Sequence, residues 1–284
     1  MKYLTMKVNN TNSLKNIFYR LVFVPKCASC GERLSPIVDK TVLNHGFPCL
    51  CDKCMEKWQE AKAQMCHTCY KNAGKCSCMP LKNTFVQPTI PSVFFYHPDV
   101  NRVESKVIYS LKHKKNRDLF AFIAEELAPS LEELLDELEI PAENCIFTYI
   151  PRTKKALKEN GFDQGKYLAK TLCERVGGLC ALPLLAREGG SEQKRLSKRE
   201  RKKNVDSAIF ANTSMLGFGR FKTSEGLSSL LSGKTVILTD DIITTGASLS
   251  RAIKVLRRAG AKTVIVCAAA RSEISQDSAK ENKK

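Results

Sequence analysis

The segment that most constrains this chain is residues 236–248, VILTDDIITTGAS. An apolar, β-branched run leads straight into two adjacent carboxylates, and a Thr-Thr-Gly turn then opens a helical pattern over residues 247–258. Gly260 breaks that pattern, and residues 262–269 give a second apolar strand. Strands that are continuously apolar, not alternating, are covered on both faces. A β-loop-α-β unit of such strands calls for an α/β fold: a mostly parallel sheet flanked by helices.

The same segment carries chemistry. Asp240 and Asp241 fall at the C-terminal edge of their strand, where open α/β sheets bind ligands. The turn and the start of the helix offer backbone N–H groups together with the hydroxyls of Thr244, Thr245 and Ser248, a cradle for a phosphate at a helix N-terminus. The paired acids can accept hydrogen bonds from ribose hydroxyls while phosphate sits on the amides. An ATP loop of the G-x-x-x-x-G-K-[ST] kind does not occur, which disfavours nucleotide hydrolysis by that route.

Upstream, residues 145–150 read as another buried strand and residues 164–176 as the helix after its loop, ended by Gly177 and Gly178. Phe120, Ile123, Leu127, Leu131, Leu134, Leu135 and Leu138 keep a helical period, with Pro129 separating two helices or kinking one. A strand at residues 93–96 leads into a helix over 100–112. Residues 189–204 and 211–234 lack apolar periodicity and read as mobile loops, and residues 276–284 as a polar tail.

Nine of the 13 cysteines crowd between Cys27 and Cys78. Cys27/Cys30 and Cys51/Cys54 are C-x-x-C knuckles 20 residues apart, a spacing that suits a tetrahedral structural zinc. Cys66/Cys69 with Cys76/Cys78 makes a second set of four thiols. Cys49 competes with Cys51, His67 can replace a cysteine, and the two sets can interleave. An iron–sulfur cluster is the minor alternative. Four thiolates leave no open position, so both sites read as structural. The segment has too few large apolar residues to form a core unaided, and the composition changes between Met79 and Pro91. Ahead of it, residues 13–23 suit a short amphipathic helix that Pro25 ends.

A net charge of +17 favours phosphorylated partners, among them nucleic acid, without choosing between them. Seven basic residues lie between Lys194 and Lys203, a run that can clamp diphosphate or follow a nucleic-acid backbone. No apolar run is long enough to span a membrane and the first residues lack the apolar stretch of a secretory signal. Clustered thiols without an export signal point to a cytoplasmic protein.

Two acids followed shortly by Thr-Gly in a strand-turn-helix context resemble the 5-phosphoribosyl-1-diphosphate (PRPP) motif of type I phosphoribosyltransferases. Tyr96, the Leu111-Lys112 helix end, IPRTKKALKENGFDQ at 150–164, Gln193, Arg201, Asn204 and Phe210 narrow the resemblance to the ComF family of competence proteins, over nearly all of residues 14–272. The resemblance implies a helical segment at 1–25, a double zinc ribbon at 26–80 held by Cys27, Cys30, Cys51, Cys54, Cys66, Cys69, Cys76 and Cys78, a phosphoribosyltransferase-like domain at 88–275, and the tail at 276–284. It implies Asp240 and Asp241 on ribose in the catalytic position, with phosphate on Ile243, Thr244, Thr245, Gly246, Ala247 and Ser248. Pro151, Arg152, Thr153 and Lys154 become the diphosphate loop, and Gln193, Arg201 and Asn204 belong to a flexible loop that closes over the site. PRPP with Mg2+, an acceptor not named by the sequence, and a link to DNA uptake follow from the same resemblance. The rival expectation is a non-catalytic single-stranded-DNA-binding protein that uses the fold as a PRPP sensor or scaffold.

Overall fold

The computed structural model describes residues 24–34, 49–63, 94–96, 102–187, 209–212, 224–243 and 246–272. Within them, β1 (Phe94–Tyr96), β2 (Cys145–Tyr149), β3 (Cys180–Ala181), β6 (Thr235–Ile243) and β7 (Thr263–Ser272) form one sheet in the order β1-β7-β6-β2-β3. Every pairing in it is parallel, with Thr235 of β6 in register with Cys145 on one side and Thr263 on the other. A separate antiparallel pair, β4 (Leu185–Arg187) with β5 (Ile209–Ala211), stands outside it.

Parallel strands need crossovers, and these cover both faces. Successive side chains of a strand point to opposite faces, and the buried residues separate accordingly. Cys145, Phe147, Ile237, Ile265, Cys267 and Ala269 pack with helices α2 (Val103–His113), α3 (Arg117–Glu137) and α5 (Gln164–Val176). Ile146, Val236, Leu238, Val264, Val266 and Ala268 pack with α6 (Ser224–Leu231) and α7 (Ala247–Arg258). A period of two is present, and it is hidden in the sequence because both faces are apolar.

Several sequence expectations change here. Pro129 lies inside one continuous α3, so the two-helix alternative does not hold. Leu119, Phe120, Ile123, Leu127, Leu131 and Leu135 are all buried along one stripe, which keeps both halves of the helix seated. Part of the segment expected to be loop, 211–234, is the helix α6, whose Leu227 and Leu231 are buried. Two turns offer too little periodicity to register as a helix. Strand β6 runs to Ile243, so both acids lie within the strand and the turn is shorter than expected. The remaining short helices are α1 (Asp52–Ala63) and α4 (Lys154–Asn160). The helix expected over 13–23 lies outside the described residues.

The first cysteine pair and α1 share a core with the larger domain. Trp58 is fully buried, its indole 5.0 Å from the Phe122 ring, and its Nε1 donates to Glu126 Oε2 at 3.2 Å. Lys62 reaches the same carboxylate oxygen at 2.6 Å, and Ser110 donates to the Ala28 carbonyl at 2.6 Å. One large indole thus supplies what the cysteine-rich composition lacks.

Candidate functional site

Helix α5, which follows β2, packs on one face of the sheet, and α7, which follows β6, packs on the other. The C-terminal ends of β2 and β6 therefore flank a topological switch point, where a crevice opens between diverging crossovers. The candidate residues from both strands meet there.

Asp240 and Asp241 lie near the C-terminal end of β6. Asp240 Oδ1 accepts from the Asp241 N–H, and Asp241 Oδ1 from the Ile242 N–H, each at 2.9 Å. Burial, followed by the neighbouring Asp241 charge, pushes the Asp240 carboxyl well above the usual carboxylate range. Asp241 has a different environment: its Oδ2 is ion-paired with the Arg152 guanidinium. The residue expected to meet diphosphate thus holds an acid expected to meet ribose.

Asp163 fixes that loop. Its Oδ2 accepts from the Arg152 backbone N–H at 3.2 Å, and its Oδ1 caps α5 by accepting from the Lys166 N–H at 3.3 Å. Burial raises its pKa, and the N–H donors of Arg152 and Lys166 oppose the rise. Thr153 Oγ1 caps α4 by accepting from the Ala156 N–H at 3.2 Å, so Lys154 is the first residue of a helix and the loop proper is only Pro151–Arg152–Thr153. Beneath, the Thr239 hydroxyl lies 3.1 Å from the carbonyl oxygens of both Thr148 and Gly165 and ties β6 to β2 and α5. A Cβ on Gly165 would stand 3.1 Å from Tyr149 Cβ, so a side chain there would crowd this approach. Buried Gln164 donates through Nε2 to the Lys112 carbonyl, joining the site helix to the end of α2.

On the phosphate side, Gly246 takes the left-handed conformation (φ 73°) and precedes α7 with no side-chain cap. Ser248 lies in the first turn of α7, and its Oγ accepts from Arg187 Nη2 at 3.0 Å. Arg187 also directs Nη1 at the Pro151 carbonyl, 3.5 Å away. Ile243 has only 3 % of its surface exposed, so its side chain belongs to the core and only its backbone borders the turn. Ala247 is exposed at the helix start. Thr244, Thr245, Gln193, Arg201 and Asn204 lie outside the described residues. Sequence reasoning missed Asp163, whose capping position before α5 was the available signal, and missed Arg187 as an individual residue, whose contacts span 61 and 36 positions and leave no local trace.

The metal candidates resolve in part. Ligand atoms of Cys27, Cys30, Cys51 and Cys54 all lie within 4.8 Å of one another. Sulfurs around a tetrahedral zinc with bonds near 2.3 Å would be roughly 3.8 Å apart, and Cys30 Sγ to Cys51 Sγ is 3.6 Å. Burial works against ionising Cys27, yet donors around Cys30, Cys51 and Ser29 outweigh it and bring the thiol down to about 7. Cys49 is outside this group: it is buried, its thiol is pushed up by burial, and its carbonyl accepts from the Ala28 N–H at 2.8 Å. The open choice between Cys49 and Cys51 therefore falls to Cys51. Cys66, Cys69, Cys76, Cys78 and His67 lie outside the described residues.

Residues 187–284 match the phosphoribosyl transferase domain family. The competence protein ComFC of Streptococcus pneumoniae is 23% identical over 245 residues, covering 84% of this chain and 96% of the relative. The two sequences are thus similar over most of both chains. The chain joins a four-cysteine cluster to a mostly parallel α/β sheet whose C-terminal part lies in the residues that match the phosphoribosyl transferase domain. Among solved structures, an allosteric regulatory enzyme of purine biosynthesis is 18% identical with a TM-score of 0.34, over 57% of this chain and 30% of its own. A glutamine PRPP amidotransferase from B. subtilis is 16% identical with a TM-score of 0.33, again over 57% and 30%. The chain thus spans about 30% of the length of either. A Staphylococcus aureus hypoxanthine phosphoribosyltransferase is 11% identical with a TM-score of 0.31, over 58% of this chain and 80% of its own. The sheet order and the domain match carry the fold; these superpositions are too loose to add to it. No helix among the described residues is long and apolar enough to cross a membrane.

Proposed function

We propose that the chain binds PRPP at the β2/β6 crevice, with phosphate at the start of α7 and ribose hydroxyls on Asp240 and Asp241. The observation that carries this reading is the acid pair at the end of a central parallel strand, directly ahead of a helix whose first turn lacks a side-chain cap. Two carboxylates form a hard oxygen donor set suited to Mg2+, and the unfavourable burial of Asp240 beside Asp241 is the kind of charge crowding a cation relieves. Bound with PRPP, Mg2+ would neutralise diphosphate charge. The chain's own part is to orient: Asp163 holds the loop that presents Arg152, and a ribose hydroxyl on Asp241 would compete with Arg152 for that acid. Arg152 is then available to diphosphate oxygens. Transfer of the phosphoribosyl group to an acceptor and a role in DNA uptake extend the same reading, as do a cytoplasmic location and zinc as the ion at Cys27, Cys30, Cys51 and Cys54.

Titration calorimetry of Mg-PRPP against wild type and the Asp240→Asn/Asp241→Asn double variant tests the site. Binding should be lost in the double variant, and undiminished binding there would overturn the assignment. Diphosphate release with bases, amines and nucleic acid as acceptors separates a transferase from a sensor.

A second reading, single-stranded DNA handling, is favoured by one feature. A groove of about 400 Å³ between the cysteine knuckle and α2 is bordered by Lys106 and Lys114 and by Tyr109, which is exposed and 4.4 Å from the His113 ring. Aromatic faces beside lysines suit unpaired bases and their phosphates. A salt series of single-strand binding checks it, because phosphate contacts give a steep salt slope and their absence a flat one.

A further inference from the structure

Arg187 has no carboxylate within ion-pair distance among the described residues, although it is half-buried. Its guanidinium instead faces a hydroxyl and a carbonyl, Ser248 Oγ at 3.0 Å and Pro151 O at 3.5 Å. These acceptors belong to the two halves of the crevice, the first turn of α7 and the loop after β2. A cation brought against the positive end of a helix is unfavourable until an anion joins them.

The hydrogen-bond polarity adds a second argument. A hydroxyl has one proton and accepts through its lone pairs. With Arg187 donating to Ser248 Oγ, the lone pair on that side is engaged and the Ser248 proton is directed elsewhere as a donor. An anion at the helix terminus is the acceptor that such a hydroxyl suits.

We propose that Arg187 is a positioning residue of the phosphoribosyl site: it fixes the Ser248 hydroxyl as a donor to the 5-phosphate and ties that cradle to the Pro151 loop. This rests on the PRPP reading above. It assigns a role to a residue outside both the acid pair and the Thr-Thr-Gly turn, at the end of β4. The shorter contact makes the 5-phosphate, rather than the diphosphate, the group most sensitive to its loss.

The test is calorimetry with three probes, ribose 5-phosphate, Mg-PRPP and Mg-pyrophosphate, on wild type, Arg187→Met, Ser248→Ala, their double variant and Arg187→Lys, with thermal unfolding alongside. Loss of a charge-assisted bond should weaken ribose 5-phosphate by about tenfold in Arg187→Met, with Mg-pyrophosphate changed by less than about threefold. Because the arginine acts through the serine, the double variant should be scarcely weaker than Ser248→Ala alone. Arg187→Lys keeps the charge without the planar fork and should recover only part of the loss. Equal losses for all three probes, additive effects of the two substitutions, or full recovery with lysine would each overturn the proposal. If wild type binds none of the probes, the PRPP reading falls and takes this one with it. Wild-type binding that Arg187→Met leaves intact removes the Arg187 role alone.

Discussion

Replacing the two adjacent acids one at a time should change stability in opposite directions. Asp241 is paired with Arg152, and the two side chains are 12% and 23% exposed. Breaking a fully buried pair costs about 3–5 kcal/mol, while an exposed pair is worth roughly 0–1 kcal/mol. With this partial exposure screening the charges, Asp241→Asn should cost about 1–3 kcal/mol, or roughly 2–12 °C in Tm for a domain of this size. Among the described residues Asp240 has no ion-paired cation, and burial and Asp241 hold its pKa above the unfolded value against the weaker opposing effect of Arg152. The folded protein therefore binds its proton more tightly than the unfolded chain, so this carboxyl favours folding less as pH rises through that raised pKa. Asp240→Asn keeps the oxygen that accepts from the Asp241 N–H, removes the charge, and should stabilise at pH 7.5 by about 0.5–2 kcal/mol. The gain should shrink as pH is lowered through the Asp240 pKa, where wild type is already neutral there. Urea unfolding without ligand, in 150 mM salt at several pH values, measures both variants. Two changes of the same sign, or a gain for Asp240→Asn that does not depend on pH, would refute the reasoning.

Two further outcomes follow from the cysteine end. Trp58→Ala should cost about 3–5 kcal/mol, as expected for deleting a buried aromatic, and should shift a single unfolding transition; two separate transitions in calorimetry would show that the knuckle and the larger domain do not share a core. Removing metal with a strong chelator, or substituting Cys30→Ser, should lower Tm and release about one zinc for this cluster in a colorimetric assay, whereas an unchanged zinc content in Cys30→Ser would exclude Cys30 as a ligand.

The fold was legible wherever one segment carried its own pattern. Helices α5 and α7 occupy the residues their periodicity and flanking glycines mark out, and strands β2, β6 and β7 were visible as mostly apolar runs. Helix α6 was not, since it has two turns and owes its burial to Leu227 and Leu231 meeting a sheet built from distant residues. The site divides the same way. Asp240 and Asp241 announce themselves because charge directly follows the buried run 235–239. That one of them is held by Arg152, 89 positions earlier, depends on two strands becoming neighbours, as does the reach of Arg187 to Ser248. Local patterns predict elements; pairings across the sheet appear only once the register exists.

Trp58 also has a consequence for dissecting this protein. The indole packs on α3 and gives Glu126 one of its two donors among the described residues, Lys62 being the other. Both come from α1, so cutting the chain after Ala63 would leave an oily furrow open to water and a carboxylate stripped of its donors from that helix. A fragment beginning there would be prone to self-association along α3, and a weak enzymatic or binding signal from it would report that stickiness before it reported anything about the crevice.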